Sequence, residues 1–480
     1  MNFVPNSIRA NSDIPALVAA LTARKDDASA CEQACRAIIN VTHNNAANCD
    51  AFREAGGIPA TVAALTTHRP SANVCEMACG VLRNLVVNNA ANKDAIRAAG
   101  GIPAIVAALT AHKDDAKVCE QACRAIINVT HNSAANRDAV RAAGGIPALV
   151  AVLTAYKANA TVCKWACWAL RNLTNAANKD AIRAAGGIPA IVAALTTHKD
   201  SANVCEEACG ALINLTYNNA ANCDAFRAAG GIPALVAILT TNKDDALMCV
   251  GACRVLNNMA LDDTNAAAVR AAGGISAIMA ALTTHKATAI VCRWACDLLA
   301  NLAHNNRKKA AIGTAGGIHA IVTALTAYNN DCDVCEYACE AFVCEYACVA
   351  LANLAISRAN EVPIREAGGI PAIVAALTRH KDNAKVCEHA CWALANVATN
   401  DAANRDAIRV AGGIPAVVAA LTAHKDDASV CIGAVVALSN LMYSDANKPL
   451  IRAERAHLEY VVAHHADGAK EWAQKIFNEL

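Results

Sequence analysis

The chain repeats itself about every 43 residues, and this period limits the folds open to it more than any other feature. One well-preserved unit reads AANRDAVRAAGGIPALVAVLT, then a short polar loop, then a segment such as VCEQACRAIINVTHN. Repetition at this period is typical of helical solenoids, in which each unit contacts its neighbours and an apolar core runs along the stack. We therefore predict a single all-α solenoid domain over residues 1–480 rather than several globular domains.

Each unit contains three helical segments. The first, as in residues 136–143, is short, and the Gly144-Gly145 pair ends it because glycine readily adopts the left-handed conformation after a helix. Pro147 opens the second helix, where a missing N–H costs nothing, and the apolar sequence PALVAVLT predicts burial. The third helix follows a polar loop in which Asp115 is a candidate N-cap.

The second helices mark the repeats. We predict ten repeats, numbered one to ten, that start near residues 14, 58, 102, 146, 188, 232, 275, 318, 370 and 414, followed by a truncated C-terminal cap over residues 451–480. The cap carries His457, Glu459, His464 and His465 where earlier repeats are apolar. A polar outer face is typical of terminal repeats, because it keeps the end of the stack soluble.

Charge and hydropathy argue against several classes of partner. The formal net charge is +1, so no basic field attracts nucleic acid or an anionic membrane. Apolar runs end after about a dozen residues, which is too short to cross a bilayer, and the first 15 residues lack the pattern of a signal peptide. We expect no nucleic-acid partner, no transmembrane segment, a monomer, and a cytoplasmic location with the nucleus as the alternative.

Cysteine is abundant, but its pattern is that of a core residue. Twenty of the 24 cysteines form C-x-x-x-C pairs within one helix, as in Cys75 with Cys79, which suits a small buried hydrophobe in a reducing compartment. A zinc site requires four ligands, and a reactive thiolate requires an accessible, electropositive environment. No nucleophile–base pair or phosphate-binding loop is visible. We therefore expect no metal, no cofactor and no catalytic activity.

One polar stripe follows the third helices. An asparagine recurs at the same place in each of them: Asn40, Asn84, Asn128, Asn172, Asn214, Asn258, Asn301, Asn353, Asn396 and Asn440. The positions one and two turns before it vary between repeats and lie on the same helix face. The candidate side-chain pockets at these positions are Trp165, Trp168, Trp294, Tyr346, Trp392, Glu120, Arg124, Glu206 and Glu388. A constant carboxamide beside variable side chains would suit a reader of peptide backbone and side chains.

The unit, with GGIP before the second helix and an A-L-x-N-L ending to the third, resembles the armadillo-repeat family over nearly the whole chain. The resemblance implies a right-handed α-α superhelix in which the third helices line a concave groove. It also implies that the ten asparagines hold the backbone of an extended peptide. Trp168 with Asn172, and Trp392 with Asn396, match the family's W-x-x-x-N arrangement.

The expected function is a noncatalytic scaffold or adaptor that binds extended peptide segments of other proteins. One alternative is recognition of basic nuclear-import cargo, as in importin-alpha, because glutamate and tryptophan side chains attract cations. RNA binding by helical repeats is a weaker alternative, since the stripe lacks a regular stacking aromatic. The asparagines could instead bond to the backbone of the neighbouring repeat, and the tryptophans could pack between repeats.

Two further sequence patterns lead to structural predictions. Pairs such as His112-Lys113 recur after the second helices and suggest a solvated edge. In repeat eight a nine-residue segment is duplicated, VCEYACEAF at 334–342 and VCEYACVAL at 343–351. Nine residues are about 2.5 helical turns, so both copies cannot face the same core. We expect the second copy to be in register, with Tyr346 in the groove. The first copy should extend past the stack or kink away, which leaves Cys335, Cys339 and Phe342 exposed or packed on a new surface and Tyr337 outside the groove.

Overall fold

A computed structural model describes residues 14–303, 312–313, 316–328, 337–465 and 468–479, without the side chains of residues 337–339. Every regular element in this part of the chain is a helix, and no strand occurs in it, which confirms the all-α prediction. Contacts group the chain into an N-terminal body, Met1–Ala234, and a C-terminal body, Leu235–Leu480.

The helices recur in the predicted order of a short, a medium and a long segment. The first helices are Ala46–Glu54, Ala90–Ala98, Ala134–Ala142, Ala176–Ala184, Ala220–Ala228, Asp263–Ala271, Arg358–Glu366, Ala402–Val410 and, in the cap, Lys448–Ala453. The second helices are Ile14–Ala23, Gly57–Thr67, Gly101–Ala111, Gly145–Ala155, Gly187–Thr197, Gly231–Thr241, Gly274–Thr284, Gly317–Tyr328, Gly369–Arg379, Gly413–Ala423 and, in the cap, Arg455–His464. The third helices are Ala28–Thr42, Ala72–Leu85, Ala116–Thr130, Ala160–Leu173, Ala202–Thr216, Ala246–Ala260, Ala289–Leu302, Tyr337–Ala355, Ala384–Ala398, Ala428–Leu441 and, in the cap, Gly468–Glu479.

The two glycines of the Gly144-Gly145 pair have different structural roles. Gly144 has φ +78°, in the left-handed region, which confirms its predicted role in ending the first helix. Gly145 begins the second helix, and a Cβ there would overlap the Val140 side chain, so the second glycine permits close packing of the two helices. Pro147 is therefore the third residue of the helix rather than its first, a position where no intrahelical N–H bond is lost either. The predicted N-cap is confirmed, since Asp115 Oδ1 accepts from Lys117 N at 2.9 Å and Val118 N at 3.1 Å.

The cysteines lie in the core. All described cysteines are buried and free of disulfides. The first cysteine of a pair also caps the end of the second helix: Cys119 Sγ donates to the carbonyl oxygens of His112 at 3.4 Å and Lys113 at 3.5 Å. The His112 carbonyl also accepts from Asp115 N at 2.9 Å, so the thiol adds a second bond there and one bond to Lys113. Burial, followed by the charges of Asp115 and Asp114, raises the pKa of Cys119 to about 12, which keeps it a thiol.

A second asparagine, in the first helix, is buried in most repeats and was not singled out by the sequence pattern. Asn136 is fully buried, and its Nδ2 donates to the Val129 carbonyl at the end of the preceding third helix at 2.8 Å. The bond fixes the angle at which the chain leaves one repeat and enters the next. The same bond, at 2.7–3.0 Å, recurs at Asn48, Asn92, Asn178, Asn222, Asn360, Asn404 and Asn447.

The histidines after the second helices link successive repeats. His112 Nε2 lies 2.6 Å from the Arg69 carbonyl oxygen, and because a carbonyl only accepts, Nε2 carries the proton. Equivalent contacts to a loop 41–43 residues earlier are made by His68, His198, His285 and His424. The prediction of a purely solvated edge is therefore incomplete, because these rings are held by hydrogen bonds. At His380 it is wrong, since that ring is fully buried.

Repeat eight contains one continuous third helix of 19 residues, Tyr337–Ala355, where the repeats on either side have 14 or 15. The second copy is in register, as predicted: Cys344 and Cys348 are fully buried. Phe342 is 40% exposed, as predicted for the first copy. Glu340 is nevertheless buried, and it pairs with Arg379 of repeat nine at 3.0 Å, so the extra turn contacts the stack. The expectations for Cys335 and for the side chains of Tyr337 and Cys339 lie outside the described residues.

The cap ends the stack with three short helices, and the last of them packs on Ala428–Leu441 of repeat ten. Ala469, Ala473 and Ile476 are buried there. Within the described residues no single helix has the length and apolar content to cross a membrane. Five pairs of first and second helices, bent by 71–74° at their junction, pass that test of length and composition only as pairs.

Candidate peptide-binding groove

The third helices of successive repeats pack side by side within each body. Their cysteine, alanine and leucine side chains point into the core, so within each body their polar faces form a continuous stripe. This stripe is the third-helix groove. It contains all of the predicted site residues.

The asparagine ladder is bonded from repeat to repeat. Asn128 Nδ2 donates to the carbonyl oxygen of Arg83, the residue before the asparagine of the preceding repeat, at 3.1 Å. The same bond, at 2.9–3.2 Å, is made by Asn84, Asn172, Asn353, Asn396 and Asn440. The structure therefore matches the alternative in which these asparagines bond the backbone of the neighbouring repeat.

The other ladder positions differ in their surroundings. Asn214 Nδ2 donates to Thr174 Oγ1 at 2.9 Å, and that hydroxyl in turn donates to the Arg171 carbonyl. Asn301 Nδ2 donates to the side-chain oxygen of Asn257 at 2.8 Å. Asn40, in the first repeat, is exposed, and Asn258 is partly exposed.

The ladder still has bonding capacity for a ligand. One N–H of the Asn128 amide is used on the preceding repeat, which leaves a second N–H and the oxygen. Among the described residues, nothing donates to Oδ1 of Asn128 or Asn172. An extended peptide could accept from and donate to these groups, so the role of peptide clamp stays a prediction.

An aromatic patch lies in the N-terminal body. The rings of Trp165 and Trp168 stack, with centroids 5.4 Å apart and planes at 13°. Both are partly exposed, so they are not core residues packed wholly between repeats. Arg124 and Lys164 lie over Trp165, with their charged groups 4.7 and 5.0 Å from the ring centroid. The two tryptophans border a hollow of about 500 Å³ together with Arg83, Asn84, Arg124 and Asn128.

The predicted acidic residues of this body differ in their surroundings. Glu120 forms an ion pair with Arg124 at 3.0 Å on the same helix. Glu206 is exposed, whereas its neighbour Glu207 is buried and pairs with Arg171 at 3.0 Å. Burial raises the pKa of Glu207 despite this bond. The carboxylate of repeat five that pairs with a groove arginine is thus Glu207, the neighbour of the predicted Glu206.

A second cluster lies in the C-terminal body and is organised by an arginine. The Arg293 guanidinium is 4.9 Å from the Trp294 centroid, 5.7 Å from that of Tyr346 and 4.3 Å from that of Phe342. Arg254 covers Trp294 at 5.0 Å. Trp294 and Tyr346 are thus brought together through a cation that the sequence pattern did not mark.

The last predicted pair lies further along the C-terminal body. Trp392 is partly exposed and lies close to Gly433 of repeat ten, where a side chain would crowd its ring at 3.3 Å. Glu388 pairs with Lys385 at 2.8 Å on its own helix. Trp392 thus packs against the third helix of repeat ten.

The chemistry of the groove suits binding. The described residues contain no group of three or more histidine, cysteine, aspartate or glutamate side chains able to hold a metal ion. Burial raises the pKa of the described cysteines for which a shift is resolved, as at Cys75 to about 11, so these thiols are poor nucleophiles. What the groove offers is carboxamides, guanidinium groups and indole rings.

Comparisons with known proteins agree with this architecture. The family model described as armadillo/beta-catenin-like repeat matches residues 89–131, 133–174, 175–217, 357–399 and 401–443. A crystal structure of an engineered protein is similar with a TM-score of 0.76 and 30% identity, over 90% of this chain and 99% of that one. A structure from work on a phosphorylation switch that controls the interaction between cadherin and beta-catenin is similar with a TM-score of 0.74, 18% identity, and coverage of 97% and 94%. None of the curated proteins compared with the sequence matches it. The chain belongs to the armadillo-repeat family.

Proposed function

We propose that this armadillo-repeat protein is a noncatalytic scaffold that binds extended peptide segments of protein partners in its third-helix groove. The observation that carries the proposal is the hollow beside Trp165 and Trp168, where partly exposed rings adjoin ladder asparagines with unused bonding groups. Indole rings supply contact area at low entropic cost, and carboxamides pair with peptide N–H and C=O groups. We also propose that it acts as a monomer in the cytoplasm or the nucleus.

The geometry supports the alternative of basic cargo less well. Glu120 and Glu388 are already paired with Arg124 and Lys385. The face of Trp165 is covered by the protein's own cations. A basic peptide would have to displace these groups before it gained any new contact.

The proposal can be tested by selecting from a phage-displayed library of random 12-residue peptides on the immobilised full chain. We expect enriched linear sequences whose synthetic versions bind with a measurable Kd. The combined change Trp168→Ala and Asn128→Ala should weaken this binding by about tenfold or more, since a buried aromatic anchor typically contributes about 2 kcal/mol. Arg97→Gln, at an exposed position on a first helix, is the matched control and should bind normally.

Two results would count against the groove. One is the absence of any enriched linear peptide. The other is binding that survives the double change while the Arg97→Gln control is equally unaffected.

A further inference from the structure

Arg83 differs from the other groove arginines of the N-terminal body in its bonding partners. Its Nε and Nη2 donate to Asn84 Oδ1 at 3.2 and 2.8 Å, and its Nη1 donates to Gln121 Oε1 at 2.7 Å. Both acceptors are neutral amide oxygens, so the guanidinium group is hydrogen-bonded but forms no ion pair with a carboxylate. The other groove arginines pair with a glutamate at 2.9–3.0 Å: Arg36 with Glu32, Arg124 with Glu120, and Arg171 with Glu207.

The hollow around Arg83 carries positive charge. Arg83 and Arg124 both line it, and its described lining residues include no aspartate or glutamate. Burial, followed by the nearby charge of Arg124, lowers the pKa of Arg83, although the charge of Glu120 acts in the opposite direction. The two guanidinium groups thus share a partly desolvated region in which an added anion would be stabilised.

The same hollow offers an apolar surface beside the charge. Trp165 and Trp168 form part of its lining, together with Ile127 and Val87. Asn128 lies on the lining as well and has an oxygen to which no described residue donates. A peptide that places one anionic side chain at Arg83 can therefore place a neighbouring apolar side chain against the indole rings.

We propose that Arg83 determines the specificity of the groove by binding an anionic side chain, a carboxylate or a phosphate, of an extended peptide. A guanidinium group binds either anion through two parallel hydrogen bonds. Gln121 is the group to be displaced, because its single contact with Nη1 is exchanged for a charged acceptor. Asn84 keeps the guanidinium oriented through Nε. This inference rests on the peptide-binding function proposed above.

The test uses four fluorescein-labelled libraries of 12-residue peptides with one fixed central residue, which is glutamate, phosphoserine, serine or lysine. Anisotropy is measured with the full chain. We expect the glutamate or phosphoserine library to bind at least about tenfold tighter than the lysine library, since hydrogen bonds to charged groups contribute about 1.5–3 kcal/mol. A preference for phosphoserine over glutamate would identify phosphate as the source of the anion, and equal binding would identify any carboxylate or phosphate.

Two variants remove the preference in different ways. Arg83→Gln deletes the cation. Gln121→Glu leaves Arg83 in place but gives it a carboxylate of the protein itself as an ion-pair partner. Both should lower binding of the anionic libraries to the level of the serine library without changing the latter. Arg97→Gln should change nothing. Circular dichroism and thermal melting check that each variant is folded.

The inference is wrong if neither the glutamate library nor the phosphoserine library binds more tightly than the lysine library, or if the anionic preference survives both variants. Either result leaves peptide binding itself intact. If instead no library binds the wild type better than it binds the Trp168→Ala and Asn128→Ala variant, the proposed function fails as well. The two failures are therefore distinguishable.

Discussion

At the scale of single residues, asparagine performs two different tasks at two positions of the repeat. Asn128 in the groove bonds the carbonyl of Arg83 and remains partly exposed, whereas Asn136 in the first helix bonds the carbonyl of Val129 and is fully buried. An exposed carbonyl that loses its partner can bond to water, but a buried one cannot. The same side chain therefore contributes more to the free energy of unfolding in the first helix than in the ladder.

This difference predicts unequal effects of the same substitution. Asn136→Ala should lower the free energy of unfolding by about 1–3 kcal/mol, the cost of an unsatisfied buried group, and Asn128→Ala by about 1 kcal/mol or less. Urea denaturation of both variants beside the wild type measures the difference. A larger loss for Asn128→Ala would show that the ladder, rather than the first-helix asparagine, holds the repeats together.

Asp297 in repeat seven is a residue whose pKa is changed by folding. Asn257 Nδ2 donates to its Oδ2 at 2.8 Å, and Asn301 Nδ2 lies 3.5 Å from its Oδ1. Burial raises the pKa of Asp297 to about 6, although the bond from Asn257 and the charge of Arg293 act in the opposite direction. The folded chain therefore binds this proton more tightly than the unfolded chain does.

The sign of the pH dependence follows. The contribution of Asp297 to stability is fully present below about pH 4, near the unfolded pKa, and is lost as the pH rises through about 6. Asp297→Asn cannot titrate, so the unfolding free energy of the wild type minus that of the variant should fall between pH 4.5 and 7. Urea denaturation at several pH values checks this. A difference that is constant or rises with pH would contradict the assignment.

At the scale of the helix, repeat eight shows how an insertion is accommodated. The helix gains length at its N-terminal end, so its C-terminal half keeps the register that buries Cys344 and Cys348. The added turn buries Glu340 against Arg379. Arg379 occupies the place of Thr197 and Thr241 in repeats five and six, so the insertion and the arginine belong together.

Removing the insertion should therefore require two changes. Deleting residues 334–342 restores the 43-residue spacing, and the added change Arg379→Thr removes the cation that would lose its partner. We expect this double variant to melt at a higher temperature than the wild type, because a continuous regular stack is regained. In the intact chain Glu340→Gln should lower stability by about 2 kcal/mol, less than the 3–5 kcal/mol of a fully buried pair because Arg379 stays partly exposed.

Thermal melting by circular dichroism tests both statements. Deletion alone is the comparison that isolates the effect of Arg379. A deletion variant that melts below the wild type even with Arg379→Thr would mean that the extra turn stabilises the stack.

At the scale of the whole molecule, a repeat stack has ends whose apolar surface must be covered. The last cap helix, Gly468–Glu479, packs on the third helix of repeat ten, and its Ile476 is buried, whereas Asn478 on the same helix is exposed. In a solenoid each repeat is stabilised by its neighbours, so loss of the cap leaves an apolar face open to solvent.

We expect Ile476→Asp to lower the melting temperature and to increase binding of an apolar dye, because a charge replaces a buried apolar side chain against repeat ten. Asn478→Asp adds the same charge at an exposed position and should do neither. Equal behaviour of the two variants would mean that the cap does not seal the stack.

The features that could be predicted from the sequence are local or periodic. The 43-residue period, the three helices of each repeat, the left-handed Gly144, the N-cap at Asp115 and the burial of the paired cysteines follow from backbone preference and helical spacing. The polar stripe follows as well, because a helix places residues four apart on one face. These properties need only the neighbouring residues along the chain.

The tertiary structure decided which partner each polar side chain takes. The Asn128 amide bonds a carbonyl 45 residues earlier, and Arg83 meets Gln121 from the following repeat. Glu207, rather than Glu206, pairs with Arg171 because consecutive helical positions differ by about 100°. Such partners come from adjacent repeats, and their distance depends on how two helices are rotated and shifted against each other. Only the packed structure sets that rotation, and with it the charge left unbalanced at Arg83.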